Sequence, residues 1–191
     1  MKKIISIVLI AVMALGIFTS CGSNKEIPNG MKYACNTDIV DYSFFVPESW
    51  IVDATEGYSM AHVSKEDRSS VSVLQFNFTS DIRTIDDWWD KKDTNGEASE
   101  MSYKSKLSNT LKEVNIIEEG KETSVDGVAA KSYLFTGKEL SSGIEYKFFV
   151  TAVAKNGSVY IITFTSTDTN NLYEKNISTV KDKILANFRF N

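Results

Sequence analysis

The spacing of apolar positions along this chain changes several times, and each spacing predicts a different element. Short runs rich in β-branched and aromatic residues, bounded by turn residues, are typical of strands. Along 70–78 the residues fall into two alternating sets, which is the period-two pattern of a strand. The predicted strands cover 42–46, 58–64, 70–78, 116–119, 128–136 and 144–154.

The Asn-Gly dipeptide at 156–157 separates the last of these strands from another apolar run. Asn-Gly is a preferred two-residue loop of a type I′ hairpin, because both residues tolerate positive φ. Such a loop pairs Val153 with Tyr160 and Ala152 with Ile161. The two pairs point to opposite faces and both are apolar, so we expect the hairpin at the centre of a sheet covered on each side.

Three segments have helical patterns. Thr84-Ile85-Asp86-Asp87 resembles a capping box, with Thr84 as N-cap. Apolar residues at steps of four predict a second helix over 98–112, and the last helix has an apolar stripe before a short closing strand at 188–190. These elements together predict an α+β fold, a single antiparallel sheet of about five to seven strands flanked by helices on both faces.

The first residues have the layout of a secretory signal peptide. Lys2 and Lys3 precede an uncharged, mostly apolar run over 4–18, and small residues follow up to Ser20. The run is short for a membrane span, which needs about 20 apolar residues. We therefore predict a signal peptide over 1–20.

Cys21 distinguishes a lipoprotein from an ordinary secreted protein. Phe18-Thr19-Ser20-Cys21 resembles the bacterial lipobox, although the lipobox usually has an aliphatic residue at the position of Phe18. The resemblance implies cleavage between Ser20 and Cys21 and acylation of Cys21, which anchors the chain in the bilayer at the extracytoplasmic face of a bacterial membrane. The alternative is a plain signal peptide in which the cysteine occurs by chance.

The chain after the leader divides into a tether and one domain. Residues 21–30 are small and polar and are broken by Pro28 and glycines, which is typical of a linker. Nine extended residues span roughly 30 Å, so the tether would keep the domain near the membrane. Residues 31–191 are long enough for a single globular domain with its own core.

Charge and cysteine content exclude several classes of protein. The net charge of −4 becomes −6 when Lys2 and Lys3 leave with the leader, and an acidic surface disfavours nucleic acid as a partner. Lipidation of Cys21 would leave Cys35 as the other of two cysteines, so an intramolecular disulfide is excluded. Cys35 is then either a buried hydrophobe or an exposed thiol.

Few residues are candidates for catalysis or metal binding. His62 is the single histidine, and a Cys35–His62 dyad is one arrangement that the sequence allows, against the alternative that both belong to strands. Asp86, Asp87 and Asp90 form either a cation site or the favourable negative charge of a helix's first turn. No cofactor-binding or hydrolase motif occurs, and we expect neither a cofactor nor an enzyme.

Trp88 and Trp89 are neighbours on a predicted helix. Both border one apolar face, so one interpretation is that they belong to the core. The other is a partly exposed aromatic anchor, a candidate interaction patch, because tryptophan is enriched at the centres of binding interfaces.

Three segments together resemble a known family. Residues 42–50 are similar to its opening segment, 159–166 to its hairpin core of Tyr, apolar residues and Thr, and 184–188 to its closing segment, with Asn187 where Ser is usual. The family is the PsbP-like superfamily, which includes an extrinsic subunit of photosystem II, a Ran-binding nuclear-import factor and many bacterial lipoproteins. The resemblance covers about 40–190 and implies an α/β/α sandwich.

Members of this family act mostly as accessory or binding modules with different partners, and a shared fold does not transfer a function. The leading hypothesis is therefore a non-catalytic accessory or protein-interaction module at the cell envelope, whose protein partner the sequence does not name. The alternatives are a lipoprotein that binds a small ligand or cation, and an enzyme with an unrecognised site.

Overall fold

The computed structural model describes residues 26–55, 58–167 and 169–191. The predicted signal peptide and its cleavage site at Ser20 and Cys21 lie outside the described residues, as does lipidation of Cys21, and all stay predictions. No helix in the described part of the chain is long and apolar enough to cross a membrane.

Seven strands form one antiparallel sheet within the described residues, in the order β4-β5-β6-β10-β9-β8-β7. Two short two-stranded pairs, β1 with β3 and β2 with β11, flank it. The short strands are β1 (Met31–Tyr33), β2 (Tyr42–Ser43), β3 (Phe45–Pro47) and β11 (Arg189–Phe190). The main sheet consists of β4 (Ile51–Thr55), β5 (Tyr58–His62), β6 (Ser70–Asn77), β7 (Leu111–Val125), β8 (Val128–Glu139), β9 (Glu145–Lys155) and β10 (Ser158–Thr167).

The β9–β10 hairpin lies at the centre of this sheet, as predicted. Asn156 and Gly157 have φ values of 52° and 80°, the positive values that a type I′ loop requires. The register pairs Tyr160 with Val153 and Ile161 with Ala152. The two-residue loop therefore determined the pairing of every residue along both strands.

Helices cover both faces of the sheet. On one side are α1 (Ile85–Asp90) and α2 (Tyr103–Leu107). On the other is α3 (Leu172–Thr179), which continues as a π-helical segment, Val180–Leu185. The Thr84 hydroxyl accepts a hydrogen bond from the Asp87 N–H at 3.0 Å, and the Asp87 carboxylate accepts one from the Thr84 N–H at 3.1 Å. The predicted capping box is thus confirmed.

The sheet separates two hydrophobic cores. Core 1 lies under α3 and the N-terminal segment, and its large buried residues include Tyr42, Phe44, Phe45, Tyr160, Phe164, Ile184 and Phe188. Core 2 lies under α1 and α2 and includes Trp88, Trp89, Leu107, Tyr133, Phe135, Val150 and Ile161. This arrangement, an antiparallel sheet with helices on both faces, is the predicted α+β fold.

Two predicted elements were wrong in extent. The helix expected over 98–112 is confined to Tyr103–Leu107, and Leu111 already begins β7. The strand expected over 116–119 is the middle of β7, which is 15 residues long. Register shifts interrupt β7 near Glu113 and Gly120, which both have positive φ. Such bulges break the period-two pattern, so the sequence does not show one continuous strand.

Candidate binding cleft

A polar cleft lies between the π-helical segment and the end of the sheet formed by β7, β8 and β9. Its volume is about 710 Å³, within the range of small-molecule sites. Ser132, Phe149 and Thr151 on β8 and β9 form its floor, and Lys181 and Arg189 belong to the opposite wall.

Thr151 is buried at the floor of the cleft. Its neighbours Val150 and Ala152 point into core 2, so the alternation of β9 directs Thr151 to the opposite face. The residue is 1% exposed, and its Oγ1 has no hydrogen-bond partner among the described residues. A buried hydroxyl without a partner costs about 1–3 kcal/mol. A group that exchanges a hydrogen bond with it would recover that cost.

The carboxylates on the cleft side of the sheet already have partners. Glu118 accepts a hydrogen bond from the Lys121 ammonium at 3.1 Å. Asp126 accepts a hydrogen bond from a backbone N–H at 2.9 Å, and its other oxygen lies 3.8 Å from Arg189 Nε.

Lys181 differs from these charged groups. Its Nζ lies 4.7 Å from the centroid of the Phe149 ring, a cation–π distance. Within the described residues, no carboxylate lies within ion-pair distance of Lys181. The cleft can therefore offer a buried hydroxyl and a positive charge to a ligand.

The structure places Trp88 and Trp89 inside core 2, which corrects the interaction-patch interpretation. The two residues are 5% and 3% exposed. The Trp89 ring stacks on Tyr133 with centroids 4.1 Å apart, and Trp88 stacks on Tyr103 at 4.7 Å. Both indoles are buried because Trp89 packs on Tyr133 and Phe135 of β8, while Trp88 packs between Tyr103 of α2 and the edge of the Tyr133 ring.

The three aspartates of α1 have separate structural contacts. Asp86 pairs with Lys131 on β8 at 2.6 Å, and Asp90 pairs with Lys92 and Lys104 at 3.1 and 3.3 Å. Asp87 forms the helix cap, where the bond from the Arg83 N–H is the main cause of its lowered pKa. Among the described residues, no group of three or more His, Cys, Asp or Glu side chains could hold a metal ion.

The structure does not bring Cys35 and His62 together. Cys35 is buried in core 1, where its Sγ accepts a hydrogen bond from the Phe44 N–H at 3.3 Å. His62 follows Ala61 of core 1 along β5, so it points to the opposite face of the sheet. Burial raises the pKa of the Cys35 thiol, which is the opposite of the activation that a nucleophile needs.

Sequence reasoning missed Thr151 and Lys181. One signal was available for Thr151, since it is a polar residue within the apolar run 148–153 of a strand predicted to be covered on both faces. For Lys181 the sequence had no such signal, because lysines at 175, 181 and 183 have the same polar pattern along the helix.

No protein-family model matches the chain, and no curated protein matches it. Among solved structures it is similar to cyanobacterial PsbP (CyanoP) from Synechocystis sp. PCC 6803, with 18% identity, a TM-score of 0.52, and coverage of 92% of this chain and 100% of that one. It is also similar to LpqN of Mycobacterium tuberculosis, described as involved in cell envelope biogenesis, with 12% identity, a TM-score of 0.50, and coverage of 84% and 90%. At these identities the likeness shows the fold alone. The domain has a PsbP-like fold.

Proposed function

We propose that this chain is a lipoprotein held at the extracytoplasmic face of a bacterial membrane through acylated Cys21, and that its domain is a non-catalytic accessory or protein-interaction module. One observation supports this above the others. A basic start, an apolar run and the segment Phe18-Thr19-Ser20-Cys21 precede a short polar tether and then a single PsbP-like domain. A diacylglyceryl group on Cys21 supplies two chains, enough for stable anchoring.

The arrangement of the domain favours a binding role over catalysis. The side chains that could act as nucleophile or general acid stand in structural contacts: Cys35 lies in core 1, and Asp86, Asp87 and Asp90 are engaged around α1. In the polar cleft, Glu118 lies beside Lys121 and Asp126 beside Arg189, which leaves the Lys181 ammonium to contact a ligand. Such a cleft also favours the second candidate function, a lipoprotein that binds a small ligand.

The experiment is a comparison of wild type with Cys21→Ala and Cys35→Ala, each expressed in a bacterial host from its full sequence. Intact mass and partitioning into a detergent phase are measured for each. We expect wild type and Cys35→Ala to be processed, to gain the mass of a diacylglyceryl group and to enter the detergent phase. Cys21→Ala should stay unprocessed and unlipidated.

Cys35→Ala is the matched control, because it removes the other cysteine and leaves the lipobox intact. Release of wild type as a soluble, unmodified chain would overturn the anchoring proposal. Equal behaviour of the two cysteine variants would show that processing does not depend on Cys21, with the same consequence.

A further inference from the structure

We propose that the cleft between the π-helical segment and β7–β9 binds the phosphate group of a small phosphate-bearing ligand, with Thr151, Lys181 and Arg189 as its binding residues. Nothing in the proposed accessory role requires this site, and the binding to free phosphate does not depend on lipid anchoring. The inference follows from the distribution of charge, the buried hydroxyl and the position of the cleft.

The charge of the cleft is positive once each side chain is assigned to a face of the sheet. Glu122 pairs in register with Lys131, whose ammonium contacts Asp86 on the far side of the sheet, so Glu122 points away from the cleft. Glu118, Glu122 and Asp126 line the cleft together with Lys121, Lys181 and Arg189. Because the Glu122 carboxylate is directed to the other face, two acids remain against three cations.

The third cation lacks a matching acid. Lys121 contacts Glu118 and Arg189 lies beside Asp126, which leaves Lys181 without a carboxylate among the described residues. A single uncompensated ammonium in a concave site favours an anion.

Donors reach the cleft from three elements, which favours a phosphate over a carboxylate. Thr151 lies on β9, Lys181 on the π-helical segment and Arg189 on β11. Arg189 uses Nη1 for the carbonyls of Ala186 and Phe188, both at 2.7 Å, and has further N–H groups on the same guanidinium. A phosphate monoester has three acceptor oxygens and a carboxylate has two. The cleft volume of about 710 Å³ leaves room for the organic part of a phosphate ester beside the phosphate group.

The position of Arg189 connects the cleft to the tether. Arg189 also lines a neighbouring groove with Ile27 and Pro28, close to the first described residue. If Cys21 is acylated as proposed, six extended residues to Ile27 span about 20 Å, so a lipid phosphate headgroup is within reach. The ligand is thus either a headgroup of the membrane or a soluble phosphate ester.

The test is calorimetric titration of full-length, processed protein in a neutral detergent, at constant ionic strength. The probes are inorganic phosphate, glycerol 3-phosphate and soluble dihexanoyl phosphatidic acid, a lipid phosphate monoester. We expect saturable binding of at least one probe. We also expect at least a tenfold loss of affinity in Thr151→Val and in Lys181→Gln.

Lys183→Gln is the matched control, because it removes the same charge from the same segment and Lys183 does not line the cleft. Its affinity should stay within twofold of wild type. Tighter binding of the lipid than of glycerol 3-phosphate identifies the membrane as the source, and the reverse identifies a soluble ester.

Three results would overturn the proposal. One is no saturable binding of any probe, which would mean that Thr151 is satisfied by water alone. Another is unchanged affinity in Thr151→Val. The last is an equal loss in Lys181→Gln and Lys183→Gln, which would show attraction by net charge and no site. If lipid anchoring fails, the titrations with inorganic phosphate and glycerol 3-phosphate still test the cleft. The anchoring proposal and the phosphate proposal can therefore fail separately.

Discussion

Tyr133 and Tyr160 are both buried, but their phenol hydroxyl groups differ in hydrogen bonding. Each is 1% exposed. The Tyr160 hydroxyl donates to Asp41 Oδ2 at 2.7 Å, whereas the Tyr133 hydroxyl has no partner within the described residues. Burial is the main cause that raises the pKa of both phenols, and nearby carboxylates add to it, so both are neutral at ordinary pH.

Removing these hydroxyls should change stability in opposite directions. Tyr133→Phe eliminates an unsatisfied polar atom and keeps the ring that stacks on Trp89, so we expect the free energy of unfolding to rise by about 1 kcal/mol. Tyr160→Phe leaves Asp41 without its donor and should lower it by about 1–2 kcal/mol. Urea unfolding monitored by circular dichroism measures both. A loss of stability in Tyr133→Phe would show that its hydroxyl has a partner in solution.

At the scale of elements, a buried polar contact joins the β5–β6 loop to α3. Asp67 and Asn176 are 8% and 6% exposed, and Asn176 Nδ2 donates to Asp67 Oδ2 at 2.7 Å. Burial by itself would raise the pKa of Asp67. Hydrogen bonds from Ser69 and Asn176 outweigh it, so the pKa lies below its ordinary value of 3.8.

This contact predicts a specific loss of stability in acid. A carboxyl whose folded pKa is depressed contributes stability that is complete above its unfolded pKa, here about 3.8, and is lost as the pH falls through the folded value. Asn176→Leu should cost about 1.5–3 kcal/mol at pH 7, because a buried carboxylate loses a donor. It should also lose less further stability than wild type when the pH falls below about 4.

Urea unfolding at pH 7, 5 and 3 checks the expected pH dependence of Asn176→Leu. Asn187→Leu is a suitable control, because the Asn187 amide is more exposed and donates to a backbone carbonyl of its own helical segment at 2.7 Å. Its stability curve should run parallel to that of wild type. If Asn176→Leu also runs parallel, the hydrogen bond from Asn176 is not what depresses the pKa of Asp67.

The sequence could predict those elements that depend on residues close together in the chain. The β9–β10 hairpin and the α1 cap are determined by residues within a few positions of each other, so their local chemistry was sufficient. The helix expected over 98–112 failed because Leu111 completes a step of four and also begins β7, where its side chain fills the space that a Cβ at Gly137 of β8 would need. A contact between residues 26 positions apart is invisible to a local spacing.

The sequence could not predict the candidate cleft, for a related reason. Its floor comes from β8 and β9, whereas its wall comes from the C-terminal residues Lys181 and Arg189. The sequence predicts which of these residues are polar. Which of several lysines faces the sheet depends on the rotation of the helix, and that is determined by packing in core 1.

For the whole molecule, the decisive feature is that both cores use the same central strands. Successive residues of β9 and β10 alternate between core 1, with Val153 and Tyr160, and core 2, with Ala152 and Ile161. Loss of packing in one core should therefore disrupt β9 and β10, on which the other core also depends. We therefore expect the domain to unfold as one cooperative unit despite its two separate cores.

The three tryptophans make this expectation measurable, since Trp50 lies in core 1 and Trp88 and Trp89 lie in core 2. In Trp50→Phe, tryptophan fluorescence reports core 2 alone, while far-UV circular dichroism reports the whole sheet. The two probes should give the same urea midpoint, because core 2 shares β8, β9 and β10 with core 1. A fluorescence midpoint clearly below the circular dichroism midpoint would mean that α1 and α2 detach first, and that the shared strands persist on core 1 alone.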